Sequence, residues 1–151
     1  MPKQLTSPRD LIKHHEGLRL SIYKDTKDIL TIGYGRNLEG RGITHEEAEY
    51  LFANDFSEAL KTVNSLYKEE TLKSLSPARF SALLDLAFNL GLNRLAKFVK
   101  FKANIEGGNF KQAAFELKYN SYPGQTPYYL SHPQRAERLM KMLETGEWPE
   151  V

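Results

Sequence analysis

Apolar residues recur at three- and four-residue steps through most of this chain and alternate at two in one short stretch. The longest helical pattern runs through Ala48, Leu51, Phe52, Phe56, Ala59, Leu60, Val63, Leu66 and Tyr67, and predicts a helix over residues 44–67, roughly 35 Å long. Thr44-His45-Glu46-Glu47 opens it as a capping box, with hydroxyl and carboxylate each satisfying a free amide. Ser76-Pro77 starts a second helix whose Phe80, Leu83, Leu84, Ala87 and Phe88 form the most apolar face in the chain, and Gly91 ends it. Residues 95–105 continue in helical register before Gly107-Gly108, after which Asn109 and Gln112 cap a short helix reaching Leu117. Residues 121–129 hold two prolines, a glycine and three tyrosines and read as a loop. Pro133 opens a last helix that turns Ala136, Leu139, Met140 and Leu143 inward and stops at Gly146.

The first fifty residues read differently. Ser7, Pro8 and Asp10 mark a helix start, with Leu11, Ile12 and His15 as its buried stripe and Gly17 as its end. Leu18, Leu20 and Ile22 then alternate with Arg19, Ser21 and Tyr23, the period of a strand. Residues 29–34, β-branched and aromatic, supply its partner. Asp25-Thr26-Lys27-Asp28 is the turn, with Asp28 in a left-handed conformation. A hairpin centred on residue 28 sets Asp25 across from Thr31. Gly33 and Gly35 bracket Tyr34 and mark a bulge or a close backbone approach, and residues 36–42 form a loop or a short irregular third strand. The fold class is therefore α+β, a small antiparallel sheet set among helices.

Composition narrows the reading. With 151 residues, 40% hydrophobic and 26% charged, the chain is globular and has enough length for one core or two small lobes. A net charge of +2 favours an anionic polymer, yet it lacks the dense Lys and Arg clusters of a nucleic-acid binder. There is no cysteine, and His14, His15, His45 and His132 show no zinc-type spacing, so no metal or cofactor is expected. Neither a signal-peptide core nor an apolar run of about 18 residues occurs, which predicts a cytoplasmic protein without stable membrane insertion.

Glu16 at a helix end, with Asp25 and Thr31 across a hairpin, offers the parts of glycoside hydrolysis: a proton for the leaving oxygen and a base that holds a water. By spacing alone these residues also fit a solvated helix end and a turn aspartate bonding its own backbone. The run Glu16-Gly17-Leu18-Arg19-Leu20, then Tyr23-Lys24-Asp25-Thr26, then Thr31-Ile32-Gly33-Tyr34-Gly35 resembles the active-site signature of the phage-type lysozymes, the muralytic endolysins. The match is ungapped over some twenty residues. Pro133-Gln134-Arg135-Ala136-Glu137-Arg138 is similar to the closing helix of that family.

The resemblance implies a lysozyme-like architecture. A β-containing lobe covers about residues 15–43, a linking helix residues 44–67, and a helical lobe residues 68–151, packed with the first helix at residues 8–16, with the active cleft between the lobes. The segment after the sheet is shorter here than in the T-even phage branch of the family, which weakens any transfer of sugar contacts from that region. The implied activity is hydrolysis of the β-1,4 bond between N-acetylmuramic acid and N-acetylglucosamine in bacterial peptidoglycan, with inversion. Glu16 is the implied acid, Asp25 with Thr31 holds the water, and Arg135, or less favourably Arg138, pairs with the catalytic glutamate. Burial of Glu16 would have to offset that arginine for the acid to keep its proton. Tyr34, Asn89 and Tyr122 are candidate substrate contacts, although the loop tyrosines fit a packing role equally well. The expected protein is a monomer that binds no nucleic acid, held in the host cytoplasm until the inner membrane is permeabilised. A lytic transglycosylase and a non-catalytic wall-binding module are the alternatives.

Overall fold

A computed structural model describes residues 1–2 and 4–151. The chain divides into two compact units, residues 1–51 and 52–151.

The first unit contains α1 (Pro8–Glu16), β1 (Arg19–Lys24), β2 (Leu30–Gly33) and β3 (Arg36–Asn37). Ser7 caps α1 as expected: its Oγ accepts from the Asp10 amide at 3.1 Å and donates to the Asp10 carboxylate at 2.8 Å. The three strands form one antiparallel sheet in the order β1-β2-β3. Its register differs from the expected one, because Tyr23 lies opposite Thr31, Lys24 opposite Leu30, and Asp25 donates its amide to Ile29 O at 3.0 Å. The hairpin is centred on residue 27. The Asp28 amide closes a turn onto Asp25 O at 3.0 Å, and Asp28 itself follows at φ 63°. That is the three-residue hairpin in which a turn is followed by one left-handed residue.

One further expectation fails in this unit. Leu11, Ile12 and His15 are exposed and α1 buries no residue. The alternating Leu18, Leu20 and Ile22 are also 53%, 82% and 60% exposed. Thr31 is the one buried residue among those described here. It sits in the central strand between Tyr23 and Asn37, and a unit this small has little else with which to cover apolar surface.

The helix α2 (His45–Leu66) crosses the boundary between the units. The Glu47 amide donates to Thr44 Oγ at 3.2 Å, the expected half of a capping box. The Glu47 carboxylate instead takes Arg36 of β3 in a two-pronged pair at 2.6 and 2.9 Å, tying the sheet to the start of α2. This guanidinium holds the Glu47 carboxyl below its ordinary value.

The second unit continues with α3 (Glu69–Ser74), α4 (Pro77–Leu95), α5 (Val99–Glu106), α6 (Phe110–Lys118), a hairpin of β4 (Tyr119–Ser121) and β5 (Gly124–Gln125), α7 (Pro127–Ser131) and α8 (Pro133–Thr145). Gly91 breaks the helical backbone of α4 at φ 74°, where the sequence places the end of that helix. Asn109 precedes α6 without a side-chain cap bond, contrary to expectation. The 121–129 segment, expected as loop, instead contains part of the hairpin and most of α7. The core joins α4, α5, α6 and α8 around Leu83, Leu86, Phe101, Ile105, Leu117 and Leu143, all fully buried. Arg79 locks the start of α4 to the end of α8, donating to Leu143 O at 2.7 Å and Glu144 O at 3.0 Å while lying over the Phe110 ring.

Candidate active site

Glu16 is the last residue of α1, and the helix ends there because Gly17 turns away at φ 72° while its amide donates to Lys13 O at 2.9 Å. The Glu16 side chain is exposed, so the burial expected for it is not built into the free protein. Its carboxyl lies against the backbone of Gly35: a Cβ at that position would stand 3.0 Å from Glu16 Cδ and closer still to Oε2. Gly35 has φ +73°. The close approach expected around Tyr34 is thus made by the second of its two glycines, and to a carboxylate. Sequence reasoning had the glycine but not the partner, since α1 and the β2–β3 turn meet only in the folded unit.

Asp25 is held by its own turn. Its Oδ1 accepts from the Lys27 amide at 2.8 Å and the Ile29 amide at 2.9 Å, the local bonding that commonly places an aspartate in a turn. Both bonds use one oxygen, and Oδ2 makes no hydrogen bond among the described residues, which leaves lone pairs for a water. Thr31 is 3% exposed, and its hydroxyl donates to Ile29 O at 2.8 Å. With its proton committed, Oγ1 still accepts. In the pleat Thr31 shares a face with Tyr23 opposite it, and Asp25 lies two residues beyond Tyr23, so Asp25 and Thr31 are diagonal neighbours rather than a facing pair. Tyr34, in the β2–β3 turn, is 43% exposed, with the Lys13 ammonium 5.1 Å above its ring.

The remaining predicted residues belong to the second unit. Arg135 Nε donates to Asp85 Oδ1 at 2.7 Å, so the partner of this guanidinium in the structure is Asp85 of α4, and that contact holds the arginine firmly in its charged form. Asp85 carried no signal in the sequence beyond being a charge on an apolar helix. Tyr122 is 72% exposed and packs with Phe115 and Tyr119 at ring-centroid distances of 6.0 and 5.1 Å, an aromatic cluster on the β4–β5 hairpin that joins both readings offered for the loop tyrosines.

Asn89 lines an open pocket of about 630 Å³ among α4, α5, α6 and α7. Its lining includes Leu90, Phe98 and Phe101, together with Tyr128 and His132, whose rings stack at 5.6 Å. Burial, reinforced by the Asp85 charge and opposed by Arg135, pushes the Tyr128 phenol up to about 12, so it is a neutral hydroxyl at any physiological pH. The sequence singled out Asn89 and, among the loop tyrosines, Tyr128, whereas His132 carried no signal beyond its lack of metal-type spacing.

Known proteins resemble this chain throughout its length. The profile of the phage lysozyme family matches residues 13–137. A probable T4-type lysozyme of Dictyostelium discoideum is 30% identical over 94% of this chain and 96% of its own. An endolysin of Bacillus phage B103 is 35% identical over 91% of this chain, which spans 52% of that longer protein. The endolysin of Salmonella phage P22 is 28% identical over 85% of this chain and 90% of its own.

Proposed function

Because the chain belongs to the phage lysozyme family, we propose that it is an endolysin: a muramidase that hydrolyses the β-1,4 bond between N-acetylmuramic acid and N-acetylglucosamine in bacterial peptidoglycan. The observation that carries this reading is the seating of the Glu16 carboxyl against Gly35, in the same unit as an aspartate with one oxygen pinned and the other free. Glu16 gives its proton to the departing glycosidic oxygen. Asp25 Oδ2 accepts from a water and takes its proton as the water's oxygen attacks the anomeric carbon from the opposite face, with Thr31 Oγ1 as the second acceptor that orients it. Attack by water rather than by a carboxylate inverts the anomeric centre.

Glu16 is exposed in the free protein, so the bound glycan itself must exclude water from the reacting centre. Arg135 supports the site from its pair with Asp85 rather than as a free cation. We propose the lobes read from the sequence, about residues 15–43, 44–67 and 68–151, as the working division. The protein acts as a monomer on the wall, binds no nucleic acid, and stays in the host cytoplasm until the inner membrane is opened. Among the described residues no helix is long and apolar enough to cross a membrane.

The test is Glu16→Gln, which keeps the shape and cannot donate to the leaving oxygen. Lysis of purified walls should fall by ~10²–10⁴ or more with the unfolding midpoint unchanged; turnover within tenfold of the parent removes the assignment. Product mass is read in the same experiment, since a hydrolase adds water and a lytic transglycosylase leaves an anhydro sugar.

A further inference from the structure

The first unit has no apolar core, since among its described residues Thr31 alone is buried. Apolar packing therefore does not fix where the β2–β3 turn sits, and the task falls to directional polar contacts. The turn itself is pliant. Gly33 and Gly35 flank Tyr34 at φ +70° and +73°, and neither has a side chain to restrain it. Yet the Gly35 backbone is what lies against the Glu16 carboxyl, so the acid is seated on a surface that needs an anchor.

The next residue along the chain supplies one. The fork of Arg36 meets both oxygens of the Glu47 carboxylate at 2.6 and 2.9 Å, and its Nη1 also donates to Gly42 O at 3.1 Å. Bonds spread across one planar fork fix position and direction together, which a point contact does not. The pair is partly sheltered, with the two side chains 24% and 38% exposed. The other ion pairs among the described residues of this unit, Lys24 with Asp28 and His45 with Glu49, are more exposed and reach only four positions along the chain. Arg36–Glu47 is the one that spans two elements, β3 and the start of α2. On the far side of Gly35 the hold is looser. There the Lys13 ammonium stands 5.1 Å above the Tyr34 ring, a contact that tolerates sliding across the ring.

Successive residues 34, 35 and 36 thus meet Lys13, Glu16 and Glu47 in turn. Resting on the muramidase reading, we infer that Arg36 is a positioning residue for the reaction: clamped to Glu47 and Gly42, it holds Gly35 where its backbone aims the Glu16 carboxyl at the leaving oxygen. Arg36 touches no reacting atom. Without the clamp the two glycines relax, and the carboxyl loses the surface that directs it.

The test uses variants of the full chain, assayed on purified walls well below their melting temperatures. Arg36→Gln and Glu47→Gln should each lower kcat about tenfold with KM within about twofold. The double variant should lose no more than either alone, since both changes break one contact. In a Gly35→Ala background the seat is already spoiled, so Arg36→Gln should change kcat by less than about twofold while its effect on the melting temperature still adds. A pair that only stabilises the fold gives no such split. Arg41→Gln removes a second cation acting on Glu47 without breaking the fork, and should keep kcat. Full activity of Arg36→Gln, an undiminished further loss in the Gly35→Ala background, or an equal loss from Arg41→Gln each overturns the inference. Nuclear magnetic resonance gives a readout that needs no cleavage. Glu47→Gln, remote in sequence from both, should shift the Glu16 carboxyl carbon and the Gly35 amide and leave the Asp25 carboxyl in place. Unmoved Glu16 and Gly35 signals overturn the inference whether or not walls are cleaved. Moving signals in a parent that cleaves nothing remove the muramidase reading and keep the clamp on Gly35.

Discussion

Gly33 and Gly35 supply a controlled perturbation of the acid. Both have positive φ, +70° and +73°, so alanine at either position suffers comparable backbone strain, about 1–2 kcal/mol. They differ in what the new Cβ would meet. At Gly33 there is nothing within 4 Å, whereas at Gly35 it comes within 3.0 Å of Glu16 Cδ. Carbon atoms rest about 3.5–4.0 Å apart, so the Glu16 carboxyl must retreat by roughly 0.5–1 Å, and as the far end of a flexible side chain it can do so without disturbing the helix. Misplacing a reacting group by about 1 Å can cost ~10² in rate. Gly35→Ala should therefore lower kcat on purified walls by about two orders of magnitude, and Gly33→Ala by no more than a few-fold, while urea unfolding shows similar losses for both. Equal activity in the two variants, or activity that merely follows stability, would refute the idea that Gly35 seats the acid.

Other expectations follow from single contacts. Thr31→Val leaves the Ile29 carbonyl without its side-chain donor and removes an acceptor from the water's place, so stability should fall by about 1 kcal/mol and kcat by more than tenfold; a fully active variant would leave Asp25 to hold the water alone. The product anomer reports the mechanism, with an α product from the β-linked strand expected and a β product showing that a carboxylate or an acetamido group attacks instead. Glu47, held low by Arg36, contributes stability that is present above its unfolded value and lost as pH falls through its folded one. Melting curves should therefore drop more steeply on acidification for the parent than for Glu47→Gln, and parallel curves would show the pair to be idle. Asp85→Asn weakens the hold on Arg135 and should reduce activity on walls more than it reduces the melting temperature; proportionate losses would make that pair structural.

Local signals carried much of the fold. The Ser7-Pro8 cap, the Thr44 start, the Gly91 break and the Gly146 end all act within one or two turns of chain, and the structure has α2 at His45–Leu66 and α8 at Pro133–Thr145. Asp28 was legible for the same reason, since a left-handed turn residue depends on its neighbours. The hairpin register was not. A symmetric count about residue 28 puts Asp25 opposite Thr31, but the turn with its one left-handed residue is centred on residue 27, which moves the pairing by two and sets Asp25 against Ile29. The β4–β5 hairpin and the five-residue α7 are shorter than any periodicity can register. Long-range partners were beyond reach altogether. Nothing in residues 133–138 says that Arg135 will find Asp85 fifty positions earlier, and nothing in the Glu47 capping box says that its carboxylate will leave the box for Arg36.

The two units use polar groups in opposite ways. In the first, the two groups proposed to hold the water are committed on one side and open on the other: Asp25 gives one oxygen to its turn, and Thr31 gives its proton to Ile29. The turn and the strand thereby fix direction, and the free lone pairs inherit that direction without any further residue to aim them. In the second unit, Asn89, Tyr128 and His132 retain buried atoms that nothing satisfies, and each such atom costs about 1–3 kcal/mol. An apolar replacement would relieve that cost. The first arrangement suits a water that must attack along one line. The second leaves donors and acceptors unspent inside the fold, so apolar replacement of an orphan should raise the melting temperature and leave kcat in place, whereas loss of Thr31 or the Gly35 seat should lower kcat.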